Sequence, residues 1–190
     1  MLRMLLAHPL TKGLDLDDPR TTRLRRQIIQ EKEFLRRICQ EWYEELVSRL
    51  TENEKPVLEL GSGAGFLTKY IANLITSDVA VSLWLSVVVD GQRVPFDDES
   101  LHAMAMIIVF HHIPRVVDFL DEATQCIEPG GLLLMIEPWV TRWSTWIYRK
   151  FHHEPFSPDA EQWEFPLSGP LSGANMALPW IVFLTRSREI

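Results

Sequence analysis

Few cysteines, no membrane-length apolar run and no excess of positive charge: each shortage in this chain removes a class of protein. The two cysteines, Cys39 and Cys126, lie in apolar-periodic stretches with no CxxC or Cys/His spacing. A disulfide framework and a zinc module are therefore not expected, and a reducing cytoplasm fits best. Lys and Arg number 19 against 26 Asp and Glu, a net charge of -7, so the basic surface a nucleic-acid binder needs is missing and no nucleic-acid partner is expected. The apolar stretch at residues 1–10 is short, lacks a small-residue cleavage site and runs into the charged residues 15–20, unlike a secretory signal. No window reaches membrane-span length, and neither an internal repeat nor a low-complexity tract occurs.

What is present is a chain of 190 residues, 46% hydrophobic, long enough for a single domain with a substantial core. From residue 21 to 50, Leu24, Ile28, Leu35, Ile38, Trp42, Leu46 and Leu50 recur at three- and four-residue steps, which predicts one amphipathic helix or two in tandem. Residues 1–55 thus read as a helical extension preceding the main domain, 56–190. Arg20, Arg23, Arg25 and Arg26 on that extension read as a solvated face and receive no function.

The most informative stretch is residues 57–66, VLELGSGAGF. Val57, Leu58 and Leu60 supply a short buried strand, and Gly61, Gly63 and Gly65 allow a tight turn in which main chain approaches a ligand unobstructed. A helix is predicted over 66–73. Strand candidates follow at 74–79, 86–89, 103–110 and 132–136. Between the last two, Val117, Leu120, Ala123 and Ile127 predict a helix stopped by Pro129-Gly130-Gly131. A run at 177–184 reads as a sixth strand. Strands alternating with helices imply a doubly wound α/β fold with a mostly parallel sheet covered on both faces.

Four segments together resemble the class I S-adenosylmethionine-dependent methyltransferases, in particular the methyltransferase type 11 family. Glu59-Leu60-Gly61-Ser62-Gly63-Ala64-Gly65 matches that family's acidic residue followed by alternating glycines. Asp78 stands seventeen residues beyond Gly61, at the end of the second strand candidate. Asp90-Gly91 opens a stretch continuing to Ser100, and Val109-Phe110-His111-His112-Ile113-Pro114 and Glu128-Pro129-Gly130-Gly131 complete the set. The resemblance covers roughly residues 56–138 and implies a Rossmann-like fold with S-adenosyl-L-methionine as cofactor. It implies that Glu59, Gly61, Ser62, Gly63, Gly65, Asp78, Asp90 and Gly91 form the cofactor site, Asp78 taking the ribose hydroxyls and Asp90 the adenine amino group. It also implies a small-molecule methyl acceptor.

The pattern departs from the family at His102, where Asp is usual, and at Met106 and Ile107, where small or polar residues are common. It departs again at the C-terminus, which holds material for one closing strand instead of two, as in a truncated form. An inactive binding relative therefore stands as the alternative. A nicotinamide-dependent oxidoreductase is disfavoured, because the third glycine of GxGxxG would fall at Phe66. His111, His112, His152 and His153 are the available proton acceptors, none is assigned as a catalytic base, and His152-His153 lacks the further ligands a metal needs, so no metal site is expected. Trp139, Trp143 and Trp146, in a lid-like segment over 139–176, read either as an acceptor pocket or as a helix covering the sheet. The oligomeric state is not legible.

Overall fold

The computed structural model describes residues 10, 13–14, 18–152, 154–166 and 173–185. The apolar residues 1–9, His153 and part of the lid-like segment lie outside them. The helical periodicity before the sheet resolves into two helices, α1 (Pro19–Glu31) and α2 (Glu33–Val47), separated where Lys32 leaves helical geometry at φ -94° and ψ 104°. Asp18 caps α1 by accepting the Arg20 N–H, and Pro19 occupies the first turn, where its missing N–H costs nothing.

Five strands form one sheet: β1 (Val57–Leu60), β2 (Leu74–Asp78), β3 (Val87–Val88), β4 (Leu101–Ile107) and β5 (Ile127–Ile136), with α3 (Val116–Cys126) between the last two. The spatial order is β3-β2-β1-β4-β5, and every pairing is parallel. The two-residue side-chain alternation divides the apolar residues between the faces. Leu58, Leu60, Met104 and Met106 pack with Val116, Phe119 and Ala123 of α3, while Val57, Ala103 and Ala105 pack with Tyr43 of α2, Phe66 and Leu67. Burial on both faces explains why β1 and β4 read as continuous apolar runs.

Three expectations need correction. The helix over 66–73 shrinks to a 3-10 turn, Leu67–Lys69. The eight residues 66–73 carry the chain from Gly65 back along β1 to Leu74, which pairs beside Val57. The stop at Pro129-Gly130-Gly131 is a bulge inside β5, where the register with β4 jumps from Leu101↔Ile127 to Ala103↔Leu132. Gly130 takes φ 83° there.

The run at 177–184 is not a strand. It forms a short helix, α5 (Leu178–Trp180), followed by a wider helical turn, Ile181–Thr185. Pro179 has no N–H for a ladder but is compatible with a first helical turn, and Asn175 accepts the Ala177 N–H through its side chain (3.1 Å) and the Leu178 N–H through its carbonyl (2.8 Å). Leu178 and Val182 then join the α3 side of the core. Among the described residues the sheet remains open at β3 and β5, and no described helix is long and apolar enough to cross a membrane.

Candidate functional site

Strand order reverses between β1 and β4, so the loops leaving their carboxyl ends splay apart and leave a crevice, as open parallel sheets do at such a point. A cleft of about 700 Å³ occupies this position, within the size range of small-molecule and cofactor sites. One wall is main chain at Gly61, Gly63 and Ala64. Asp78 and Val79 follow from β2, Asp90 to Gln92 from beyond β3, and Ile107 to Val109 from the end of β4.

The glycine loop passes through left-handed backbone, with φ of 63° at Gly61, 47° at Gly63 and 62° at Gly65, a conformation glycine adopts without a Cβ penalty. A Cβ at Gly61 would fall 2.4 Å from Val109 Cγ2, and one at Gly65 2.8 Å from Trp84 Cδ1. The loop's polar groups are held individually. Asp78 Oδ2 accepts the Gly63 N–H at 3.0 Å, Trp84 Nε1 donates to Gly63 O at 2.9 Å, and Arg26 of α1 donates to the carbonyls of Ala64 and Gly65. The Arg26 guanidinium also lies over the rings of Phe66 and Trp84, 4.5 and 4.9 Å from their centroids.

The anticipated site residues divide into two groups. Gly61, Gly63, Asp78, Asp90 and Gly91 border the cleft directly. Glu59, Ser62 and Gly65 do not border it and instead build the loop. Ser62 Oγ donates to Glu59 Oε2 at 2.7 Å and accepts the Ser77 N–H at 3.0 Å, which ties the turn to β2. Burial pushes the Glu59 carboxyl up to about 7, opposed by the Ser62 hydrogen bond and reinforced by the Asp78 charge. The Asp90 carboxylate caps its own turn, accepting the Gln92 N–H at 2.9 Å while facing the cleft.

At the opposite end of the cleft, Ile108 adopts φ 59°, an outlier for a β-branched residue. The bend turns the Val109 and Phe110 N–H groups onto Glu137 Oε1, at 2.6 and 2.7 Å. Glu137 Oε2 lies 2.6 Å from His111 Nδ1, so one buried carboxylate after β5 organises the whole turn after β4. His112 Nδ1 lies 2.9 Å from the Gly173 carbonyl. Glu154 directs its carboxylate at the Nε2 atoms of both rings, Oε2 lying 3.5 Å from His111 Nε2 and Oε1 3.7 Å from His112 Nε2.

Burial alone would lower the His111 pKa, but Glu137 and Glu154 outweigh it and hold it up at about 9. Burial, then the His111 charge, lowers that of His112. Burial would raise Glu154, yet its histidine neighbours bring it down to about 2. Sequence reasoning missed Glu137, Glu154, Arg26 and Trp84. None belongs to the glycine signature, and only the adjacency Glu137-Pro138 after an apolar strand hinted at a buried carboxylate.

The familiar departures sit elsewhere. His102, at the far end of β4, places Nδ1 2.9 Å from Glu128 Oε1, and Met106 is core, while Ile107 does border the cleft. Trp143 and Trp146 do lie on a helix, α4 (Arg142–Lys150), but that helix has no buried residue. Trp143 is 69% exposed, its ring stacks on Trp146 at 5.3 Å, and none of Trp139, Trp143 and Trp146 borders the cleft. The chemistry-bearing residues are thus the loop carboxylates at one end and the histidine group at the other.

Residues 58–135 match the family model described as a methyltransferase domain. This segment is similar to a methyltransferase domain. Comparison with curated protein sequences finds no match. Among solved structures, the chain is similar to a proposed S-adenosyl-L-methionine-dependent methyltransferase from Methanococcus maripaludis, with 14% identity over 73% of this chain and 74% of that one and a TM-score of 0.53. It is also similar to a chain of a Haloferax volcanii complex between a methyltransferase activator and a proposed methyltransferase, with 18% identity over 66% of this chain and a TM-score of 0.51. At these identities the likeness is one of fold, and it establishes the Rossmann-like architecture anticipated above. The chain spans 61% of the Haloferax chain and 49% of a similar Bacillus halodurans chain, to which it is 25% identical over 54% of its own length with a TM-score of 0.45.

Proposed function

We propose that this domain binds S-adenosyl-L-methionine in the cleft and directs its methyl group to a small-molecule acceptor, in a reducing cytoplasm. The observation that carries this reading is the convergence of the side-chain-free glycine wall, Asp78 and Asp90 on one open crevice at the reversal of strand order. The residues present fit the cofactor. Gly61 and Gly63 leave main chain bare toward the crevice, and Asp78 retains lone pairs after accepting two backbone N–H groups, from Gly63 and Ala80, each at 3.0 Å.

In this reading the Gly61–Ala64 main chain cradles the methionine portion, Asp78 accepts from the ribose hydroxyls, and Asp90 accepts from the adenine amino group. Glu59, Ser62 and Gly65 act one layer back by fixing the turn. When bound, the cofactor supplies a sulfonium-activated methyl carbon, so the protein's main task is placement of the acceptor, worth up to about 7–11 kcal/mol when the reacting atoms are aligned. The isoleucine-lined end, with His112 and Glu154 behind it, is where the acceptor enters.

Thermal unfolding with S-adenosylhomocysteine and, separately, NAD tests the assignment. At a hundredfold excess over the dissociation constant, a native-state ligand adds about 2.7 kcal/mol, an upward shift of about 5–10 °C for a protein of this size. We expect that shift with S-adenosylhomocysteine alone. A shift with NAD only, or with neither, refutes the proposal.

A further inference from the structure

The cleft ends in a group of side chains that the cofactor reading leaves unexplained. Two imidazole rings and a carboxylate present ligand atoms that all lie within 4.8 Å of one another: His111, His112 and Glu154. The two rings are tilted against each other at 4.3 Å. Each has its Nδ1 directed to a protein oxygen, His111 to Glu137 and His112 to the Gly173 carbonyl. That arrangement leaves both Nε2 atoms turned toward Glu154.

His111 is the telling residue. Its side chain is fully buried, and its Nε2 has no hydrogen-bond partner among the described residues, although Glu154 Oε2 stands 3.5 Å away. A buried ring nitrogen whose nearest polar neighbour is a carboxylate at ion-pair distance, with no hydrogen bond of good geometry, calls for an explanation. We infer that His111 Nε2, His112 Nε2 and Glu154 form a site for a divalent transition cation of zinc type, open toward the cleft.

The geometry fits such an ion. Ligands about 2.0–2.1 Å from a tetrahedral centre stand roughly 3.3 Å apart; His111 Nε2 lies 3.5 Å from Glu154 Oε2 and His112 Nε2 lies 3.7 Å from Glu154 Oε1, so each nitrogen has a different carboxylate oxygen near that spacing. Two nitrogens and one oxygen suit zinc in preference to magnesium, which takes oxygen ligands. The Glu137 carboxylate behind His111 Nδ1 is the customary orienting partner of a metal-bound imidazole, and with Glu154 it sets two negative charges against one dication. His112 and Glu154 border the cleft, so the remaining coordination position faces whatever molecule occupies it. The inference stands on these side chains and does not depend on the identity of the cofactor.

Calorimetric titration of the metal-free full chain with zinc chloride is the test, with magnesium chloride run in parallel. One zinc ion per chain is expected, and no saturable magnesium uptake. His112→Ala and Glu154→Gln should each weaken zinc binding by about a hundredfold or more while their circular dichroism spectra match the parent, and His102→Ala, outside the group, should bind as the parent does. With cobalt(II) as a spectroscopic probe, Glu137→Gln should shift the visible band and weaken binding by roughly 10–100-fold. A parent that takes up no zinc at about 100 µM overturns the site and assigns the space to a proton held between His111 and Glu154. Stoichiometric binding that survives both His112→Ala and Glu154→Gln overturns it equally, as does tighter binding of magnesium than of zinc.

Discussion

Asp78 offers the sharpest perturbation, because its two oxygens already perform one measurable task and are proposed to perform a second. Oδ2 accepts the Gly63 N–H and Oδ1 the Ala80 N–H, each at 3.0 Å. A carboxylate has about four acceptor positions, so two remain, and the side chain borders the cleft. Asp78→Ala removes the loop tether, at a cost of about 1–3 kcal/mol in unfolding free energy. It also removes the pair proposed for the ribose hydroxyls, each charge-assisted bond being worth about 1.5–3 kcal/mol. Even one of those bonds corresponds to at least a tenfold loss of affinity. Urea unfolding reads the first quantity and calorimetric titration with S-adenosylhomocysteine the second. Asp78→Asn, which keeps the volume and one carbonyl oxygen, should fall between parent and alanine in both. A folded alanine or asparagine variant that binds S-adenosylhomocysteine within twofold of the parent refutes the role.

Glu59, pushed up to about 7 from an ordinary 4.5, binds its proton more tightly folded than unfolded, so stability falls as pH rises from about 4.5 to 7 and is level beyond. The loss is about 3 kcal/mol at 1.36 kcal/mol per unit; Glu59→Gln should flatten that slope and exceed the parent in stability above pH 7, and parallel urea-midpoint curves would exclude it. Arg26→Ala, which releases the Ala64 and Gly65 carbonyls, should lower stability by roughly 2 kcal/mol and speed proteolysis between α1 and β1, which an unchanged midpoint would contradict. Trp143→Ala should change unfolding free energy by no more than about 0.5 kcal/mol, because the ring is 69% exposed. Phe119→Ala, at a fully buried position, should cost about 3–5 kcal/mol, and thermal denaturation of the pair separates them.

Local pattern alone identified β1, β2 and α3, because their apolar spacing records which face each element buries, and that record is written in consecutive residues. The turn at 61–65 was equally legible, since only glycine enters left-handed backbone without cost and three stand in alternation. The run at 177–184 was not, because a continuous apolar stretch reads alike as buried strand and buried helix, and the decision rested on Pro179 and on packing against Phe110, whose ring meets that of Phe183. Nor was the shortening of the predicted helix after Gly65 to a single 3-10 turn legible in the local pattern. The side of the cleft away from the glycines lay furthest from reach. Glu137 and Glu154 are 26 and 43 residues from His111 in the chain, and no spacing rule joins them. The strand signals, the glycine turn and the methyltransferase resemblance were therefore the chain's own to disclose. The meeting of Arg26 with the loop, and of His111 with two carboxylates, was decided by packing, because parallel strands place distant segments side by side at one edge of the sheet.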